Sequence, residues 1–349
     1  MSQITALALF SGGLDSILAC RVVAMQGIRV VAVKFVTPFF GYDLLASRET
    51  YQEDIFKKYG IEMLLVDLSD GYIDLLHNPR HGFGKNFNPC IDCKILMLTR
   101  AREMMAALGA SFLVTGEVLG QRPMSQRRHT LRVIERDAGA DRLLLRPLSA
   151  RLLPETEAEA QGWIDRERLF DMSGRGRSQQ IALAREFGIA DFPSPAGGCI
   201  LADPILSRRI ARIYEGRFIV RAEDITVADV CLLLVGRQFV LPGGGWLILG
   251  RNEQENARLL TMAQEDDAVL SMPVRPGPTA ILRRATTSYE SDAQLQEALQ
   301  LAASLVVRFG RKIKEGSPEG EIRVSVGGET RNVTALPLDD TLFQGWALE

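Results

Sequence analysis

Residues Phe10-Ser11-Gly12-Gly13-Leu14-Asp15-Ser16 join an apolar run, Ile4 to Leu9, to a helical pattern from Leu14 to Met25. Two glycines let the backbone approach a phosphate closely, and at a helix N-terminus the unpaired N–H groups and the dipole favour an anion. Ser11 and Ser16 add hydroxyls. The loop lacks the lysine that ends a Walker A loop and the G-x-G-x-x-G of a dinucleotide site. A second reactive set is made of thiols. Asn88-Pro89-Cys90-Ile91-Asp92-Cys93-Lys94 places two cysteines at C-x-x-C spacing on the first turn of a predicted helix, where the dipole favours thiolate. Cys199 follows the turn-prone Pro195-Ala196-Gly197-Gly198, much as His81-Gly82-Phe83-Gly84 precedes Cys90. Two bendable loops could therefore bring three thiols together. Three chemistries stay open: a [4Fe-4S] cluster with one iron left for a sulfide or substrate, a persulfide resolved as a disulfide, or zinc or purely structural thiols. His81 is the candidate fourth zinc ligand.

These residues need elements to position them. Ile4 to Leu9, Arg29 to Phe35, Glu62 to Leu68 and Ser111 to Thr115 read as strands. Leu14 to Met25, Ala46 to Tyr59 and Ile91 to Leu108 read as helices. The alternation predicts an α/β fold, a parallel sheet with helices on both faces and ligand sites at the carboxyl ends of the strands. The phosphate loop and Thr115-Gly116-Glu117 both fall at such ends. A helical stretch from Ser178 to Phe187 closes this half, and Phe192 to Gly198 breaks regular structure. We divide the chain into residues 1–190, a catalytic nucleotide-binding domain; 191–220, a connecting segment carrying Cys199; and 221–349, a small α+β module. In that module Val230 to Val235 and Trp246 to Leu249 read as strands around Pro242-Gly243-Gly244-Gly245, and Glu253 to Met262 as a helix.

At 349 residues the chain is long enough for two domains or more. No apolar stretch approaches a membrane span, and no basic segment leads into an apolar signal core, so a cytoplasmic location with no membrane partner is expected. A net charge of −2 provides no global field for nucleic acid, which leaves local patches. Arg122, Arg127, Arg128, Arg132 and Arg136 form one; Arg208, Arg209, Arg212, Arg217 and Arg221 a second; Arg308, Arg311, Lys312 and Lys314 a third. Five cysteines do not make a disulfide framework, and Cys20 and Cys231, inside apolar runs, read as inert core residues.

The string S-G-G-x-D-S resembles the signature of the PP-loop ATP pyrophosphatases, which cleave ATP between its α and β phosphates and pass AMP to a substrate oxygen. Val114-Thr115-Gly116-Glu117-Val118-Leu119-Gly120-Gln121, continuing to Ser125-Gln126, resembles a stretch of the tRNA 4-thiouridine synthases. Asn88-Pro89-Cys90 to Cys93 is similar to a segment of the tRNA 2-thiouridylases, and Arg146-Pro147-Leu148 matches a common family tripeptide. The resemblance covers residues 4 to 150 and implies ATP-dependent tRNA uridine thiolation: adenylation of a carbonyl oxygen, then sulfur transfer. It implies Ser11, Gly12, Gly13, Asp15, Ser16, Thr115, Gly116 and Gln121 at ATP, with Asp15 on Mg²⁺. Lys34, at a strand end, is a candidate nucleotide contact, although an exposed lysine is the plainer reading. Cys90, Cys93 and Cys199 would carry the sulfur chemistry, as cluster ligands or, with no cluster, through a persulfide. The implied partners are tRNA and a sulfur donor, either a persulfide-carrying protein or inorganic sulfide; a homodimer is an open option. The 4-thiouridine synthases carry an RNA-binding domain before the phosphate loop, whereas here the loop begins at once, and residues after 220 are the candidate replacement. Two alternatives remain: a PP-loop enzyme that adenylates a small molecule, and a non-catalytic RNA-binding or sulfur-trafficking protein.

Overall fold

The computed structural model describes residues 3–194, 199–312 and 318–348. Pro195 to Gly198 and Lys314 lie outside the described residues. The chain divides into two compact units, residues 1–200 and 201–349, so the segment expected to connect the domains is split between them. Among the described residues no helix is long and apolar enough to cross a membrane.

In the first unit, strands β1 (Thr5–Leu9), β2 (Arg29–Val36), β3 (Glu62–Asp67), β4 (Phe112–Thr115) and β5 (Leu144–Leu145) form a wholly parallel sheet in the order β3-β2-β1-β4-β5. The register pairs Leu7 with Val31 on one side and Leu113 on the other, and Leu113 with Leu144. Both faces of the sheet are covered, so the strands are apolar runs and not an alternation of apolar and polar residues. Ala6, Ala8, Ala32, Phe112 and Val114 pack in one core with residues of α1 (Leu14–Ala24). The residues that alternate with them, Leu7, Val31, Val33, Leu113 and Leu144, pack in the other with Leu98 and Ile134. The helices that follow are α2 (Arg48–Tyr59), α3 (Ser69–His77), α4 (Cys90–Leu108), α5 (Arg128–Asp137), α6 (Glu157–Ala160) and α7 (Ser178–Glu186). α7 joins the first core through Leu183 and Ala184, while α4 and α5 carry Leu98 and Ile134 into the second. β1 is central, and the chain leaves it toward β2 on one side and β4 on the other. The crevice at the carboxyl ends of β1 and β4 is therefore the switch point where ligands of such sheets bind.

The second unit opens with α8 (Pro204–Tyr214) and α9 (Val227–Leu233) and contains a six-stranded antiparallel sheet. Its strands are β6 (Arg237–Val240), β7 (Trp246–Leu249), β8 (Ala268–Ser271), β9 (Ala280–Leu282), β10 (Gly320–Val326) and β11 (Glu329–Ala335), in the order β11-β10-β8-β9-β7-β6. Three more helices, α10 (Glu253–Met262), α11 (Asp292–Phe309) and α12 (Asp340–Phe343), complete the unit. α11 buries Leu299, Ala302, Ala303, Leu305 and Val306 in the core that the sheet also lines. One sequence expectation fails: Val230 to Val235, read as a strand, lies largely in α9. Thr226 and Asp229 form a capping box that starts a helix, and a short run buried on all sides carries no period to tell helix from strand.

Inside this unit Arg283 is buried between Asp229, at 2.6 Å, and Asp267, at 3.0 Å. Arg284 Nη2 also reaches Asp229 at 2.7 Å, so removing Arg283 would leave Asp267 the less compensated of the two buried carboxylates. Arg283→Leu is expected to cost about 3–5 kcal/mol of stability, read as a shift of the urea midpoint; an unchanged midpoint would contradict the role assigned to the cluster.

Candidate functional site

The phosphate loop closes on itself before any ligand arrives. Ser16 Oγ donates to the Gly13 carbonyl at 2.7 Å, the Gly13 N–H donates to Ser11 Oγ at 3.3 Å, and Ser11 Oγ donates to Ser16 Oγ at 3.3 Å. Gly12 sits at φ +84°, a left-handed conformation that costs glycine nothing. Gly13 is the N-cap of α1 and supplies no side-chain cap, so the first turn keeps its donors for an incoming anion. Lys34 is half-buried rather than exposed: its ammonium donates to the Ser11 carbonyl at 2.7 Å and lies 5.6 Å from the Tyr51 ring centroid. Burial lowers its pKa. The strand-end lysine is thus a brace of the loop.

The loop after β4 meets the phosphate loop at backbone distance. A Cβ on Gly116 would lie 2.4 Å from the Asp15 carbonyl carbon and 2.5 Å from the Ser16 nitrogen, so only glycine fits. Five residues on, Gln121 Nε2 donates to Asp15 Oδ2 at 2.9 Å. Arg177, which sequence reasoning missed, places Nη2 3.9 Å from Asp15 Oδ1. Asp15 Oδ1, Gln121 Oε1 and Arg177 Nε are buried with no hydrogen-bond partner among the described residues. A carboxylate oxygen left open beside a phosphate loop fits a hard cation such as Mg²⁺. The Thr115 hydroxyl is spent elsewhere, on Glu117 Oε2 at 3.3 Å.

Glu117 is 4% exposed and stands between two cations, Arg146 Nε at 3.1 Å and Lys94 Nζ at 3.6 Å. Burial acts to raise its pKa, but the charges of Lys94 and Arg146 and the Arg146 hydrogen bond outweigh it, and the carboxyl titrates below the ordinary range. Arg146, 2% exposed, also binds Glu135. Lys94, Glu117 and Arg146 stood in sequence motifs and Glu135 did not; their pairing across four segments was not legible there.

The thiols come next. Lys94 follows Cys93 on α4, so Glu117 holds the helix that bears Cys90 and Cys93. Asn88 Nδ2 reaches Cys90 Sγ at 3.3 Å and Met124 Sδ at 3.5 Å. Tyr72, buried on α3 and absent from the sequence-derived set, hydrogen-bonds Cys93. Burial pushes the Cys93 thiol up to about 11; the Tyr72 bond and Lys94 oppose that rise, while Cys199 and Cys90 add to it. Cys93 thus lies within electrostatic reach of both Cys90 and Cys199. They are not arranged as a ready ligand set: among the described residues no group of three or more His, Cys, Asp or Glu stands where it could hold a metal ion. Three soft sulfur donors match the chemistry of an iron–sulfur cluster nevertheless. His81, the expected fourth zinc ligand, pairs through Nε2 with Asp137 at 2.9 Å, which leaves Nδ1 as the nitrogen that could ligate. Cys20 is a core residue whose buried thiol is pushed up to about 12, and Cys231 is buried too.

The basic patches separate. Arg122, Arg127, Arg128, Arg132 and Arg136 are all exposed. In the second patch Arg209 is buried on the Leu233 and Gly236 carbonyls, and Arg212 and Arg221 pair with acidic neighbours. In the third Arg308 pairs with Asp340.

Residues 1–151 match the family model described as thiamine biosynthesis protein (ThiI), and residues 236–347 match that of the NFACT protein RNA binding domain. No curated protein matches the chain. Among solved structures, the U34-tRNA thiolase NcsA from Methanococcus maripaludis with its [4Fe-4S] cluster is similar at 18% identity over 57% of this chain and 62% of that one, with a TM-score of 0.33. A 4-thiouridine synthetase in complex with RNA and ATP is similar at 20% identity over 53% of this chain and 51% of that one, with a TM-score of 0.34. The chain spans less than two thirds of the length of either.

Gly116→Ala is expected to destabilise the first unit by about 1–3 kcal/mol through backbone overlap and to weaken ATP binding, by thermal unfolding and calorimetric titration; full ATP affinity would separate the two loops. Cys93 is protonated at neutral pH and reacts as thiolate, so its alkylation by iodoacetamide in iron-free protein should rise about tenfold per pH unit toward pH 11. A rate that levels off below pH 9 would contradict its enclosure.

Proposed function

We propose that the chain is an ATP-dependent tRNA uridine thiolase, with residues 1–151 as a ThiI-type catalytic domain and the second unit contributing RNA binding. The observation that carries the reading is a single connected site: phosphate loop, Asp15, Gly116, Glu117, Lys94 and the thiols follow one another through contacts of this chain. A uridine carbonyl oxygen is a poor leaving group. It attacks the α-phosphorus of ATP, the bond to pyrophosphate breaks, and the departing anion rests on the donors of Ser11, Gly12, Gly13 and Ser16. Asp15 would hold the Mg²⁺ that neutralises the phosphates, with Gln121 and Arg177 orienting its carboxylate.

Sulfur then enters at the activated ring carbon. A sulfide-level nucleophile adds, the carbon–oxygen bond breaks, and AMP leaves with the oxygen. Inorganic sulfide is such a nucleophile directly; from a persulfide-carrying protein the terminal sulfur adds to the ring carbon, and a second thiol of this chain then attacks the inner sulfur, so that the sulfur–sulfur bond breaks with a disulfide as the oxidised product. Cys90, Cys93 and Cys199 would hold a [4Fe-4S] cluster, which supplies an open iron for that sulfur when bound. Tyr72 orients Cys93, and Asn88 orients Cys90.

Cys199→Ala is expected to form no thiolated nucleoside by mass spectrometry of digested tRNA while still releasing pyrophosphate on tRNA addition. Asp15→Asn should lower both by about a hundredfold. Full thiolation by the Cys199 variant would remove that residue from the mechanism, and pyrophosphate release independent of tRNA would favour a small-molecule acceptor.

A further inference from the structure

We propose that Phe83 and Phe87 form a stacking platform for an unpaired pyrimidine base beside Cys90, an inference that rests on the thiolase reading and adds where the base sits. The two rings lie with centroids 4.2 Å apart and planes tilted by 40°, and Phe83 is 38% exposed in a polar loop. Phe83 is the exposed member and Phe87, partly buried, backs it, so one aromatic face beside the exposed Met124 is turned to water, where a ligand could cover it. The platform is continuous with the thiols. Gly84, next in the chain, packs so closely on Asn88 and Met124 that a Cβ there would lie 2.6 Å from Asn88 Nδ2 and 2.7 Å from Met124 Cε. Asn88 in turn contacts Cys90 Sγ and Met124 Sδ. Met124 is itself 37% exposed.

The surrounding charge identifies the occupant as a nucleotide within a strand. Lys85 is exposed between the two phenylalanines, and Arg122, Arg127 and Arg128 are exposed on the segment that carries Met124. Aromatic faces interleaved with cations that can track a phosphate backbone suit single-stranded RNA, where each unstacked base finds a ring and each phosphate a cation. A base laid on Phe83 stands next to the Asn88-held thiol, where sulfur must be delivered. Extruding that base from its own stack costs a few kcal/mol, and the platform returns part of it.

The test uses the full chain and a hexauridylate probe. Phe83→Trp should keep binding and acquire tryptophan fluorescence that hexauridylate quenches beyond the change seen in wild type. An abasic oligomer of the same phosphate count should not quench it. Phe83→Ala, an exposed truncation, should weaken uridylate binding by the first unit's platform about tenfold or more and lower thiolation of tRNA without changing ATP affinity. Absence of quenching in the tryptophan variant, or wild-type thiolation by Phe83→Ala, overturns the platform even if the enzyme thiolates tRNA. Quenching by hexauridylate in a protein that never thiolates tRNA supports the platform and overturns the thiolase reading alone.

Discussion

The backbone contact between Gly116 and the Asp15–Ser16 peptide is the constraint on which the site depends. Two strands that diverge in sequence, β1 and β4, are neighbours in the sheet, and their carboxyl ends must come within van der Waals distance for one loop to close on the other. Any side chain at residue 116 would hold them apart. With the loops in contact, Gln121 reaches Asp15, and the other carboxylate oxygen stays buried without a hydrogen-bond partner among the described residues, 3.9 Å from Arg177 Nη2. The phosphate loop alone is a general anion cradle. The second loop adds the Gln121 amide and the backbone of Gly116 to that cradle.

Charge extends the same architecture to the thiols. Burying Glu117 is costly, and the protein offsets that cost with two cations from different elements, Lys94 on α4 and Arg146 beyond β5. Removal of any one partner would leave a buried charge exposed to a low dielectric. The network therefore holds α4 against the sheet and sets where Cys90 and Cys93 stand relative to the nucleotide loop. Tyr72 adds a hydrogen bond to Cys93 from a third element.

The thiols are gathered but not assembled as a ligand set. Cys90 and Cys93 occupy the first turn of a rigid helix, whereas Cys199 lies just beyond a glycine-rich segment. No metal-holding geometry is found among the described residues.

The sequence by itself determined four of the first unit's five strands, four of its seven helices and the parallel sheet, because period, glycine placement and strand-to-helix order are local properties of the chain; the two-residue β5 is too short to carry a period. It also singled out Cys90 and Cys93 by spacing, and Cys199 by the glycine-rich segment before it. It misread Val230 to Val235, where burial on every side erased the period that separates helix from strand. Only the tertiary structure decided that Lys34 braces the loop, that His81 belongs to Asp137, that Arg209 is a core staple, and that Glu117, Arg177 and Tyr72 stand in the site. Each of those roles is a distance between residues far apart in the chain, and such distances are set by packing of the whole sheet and its helices, which no local pattern encodes.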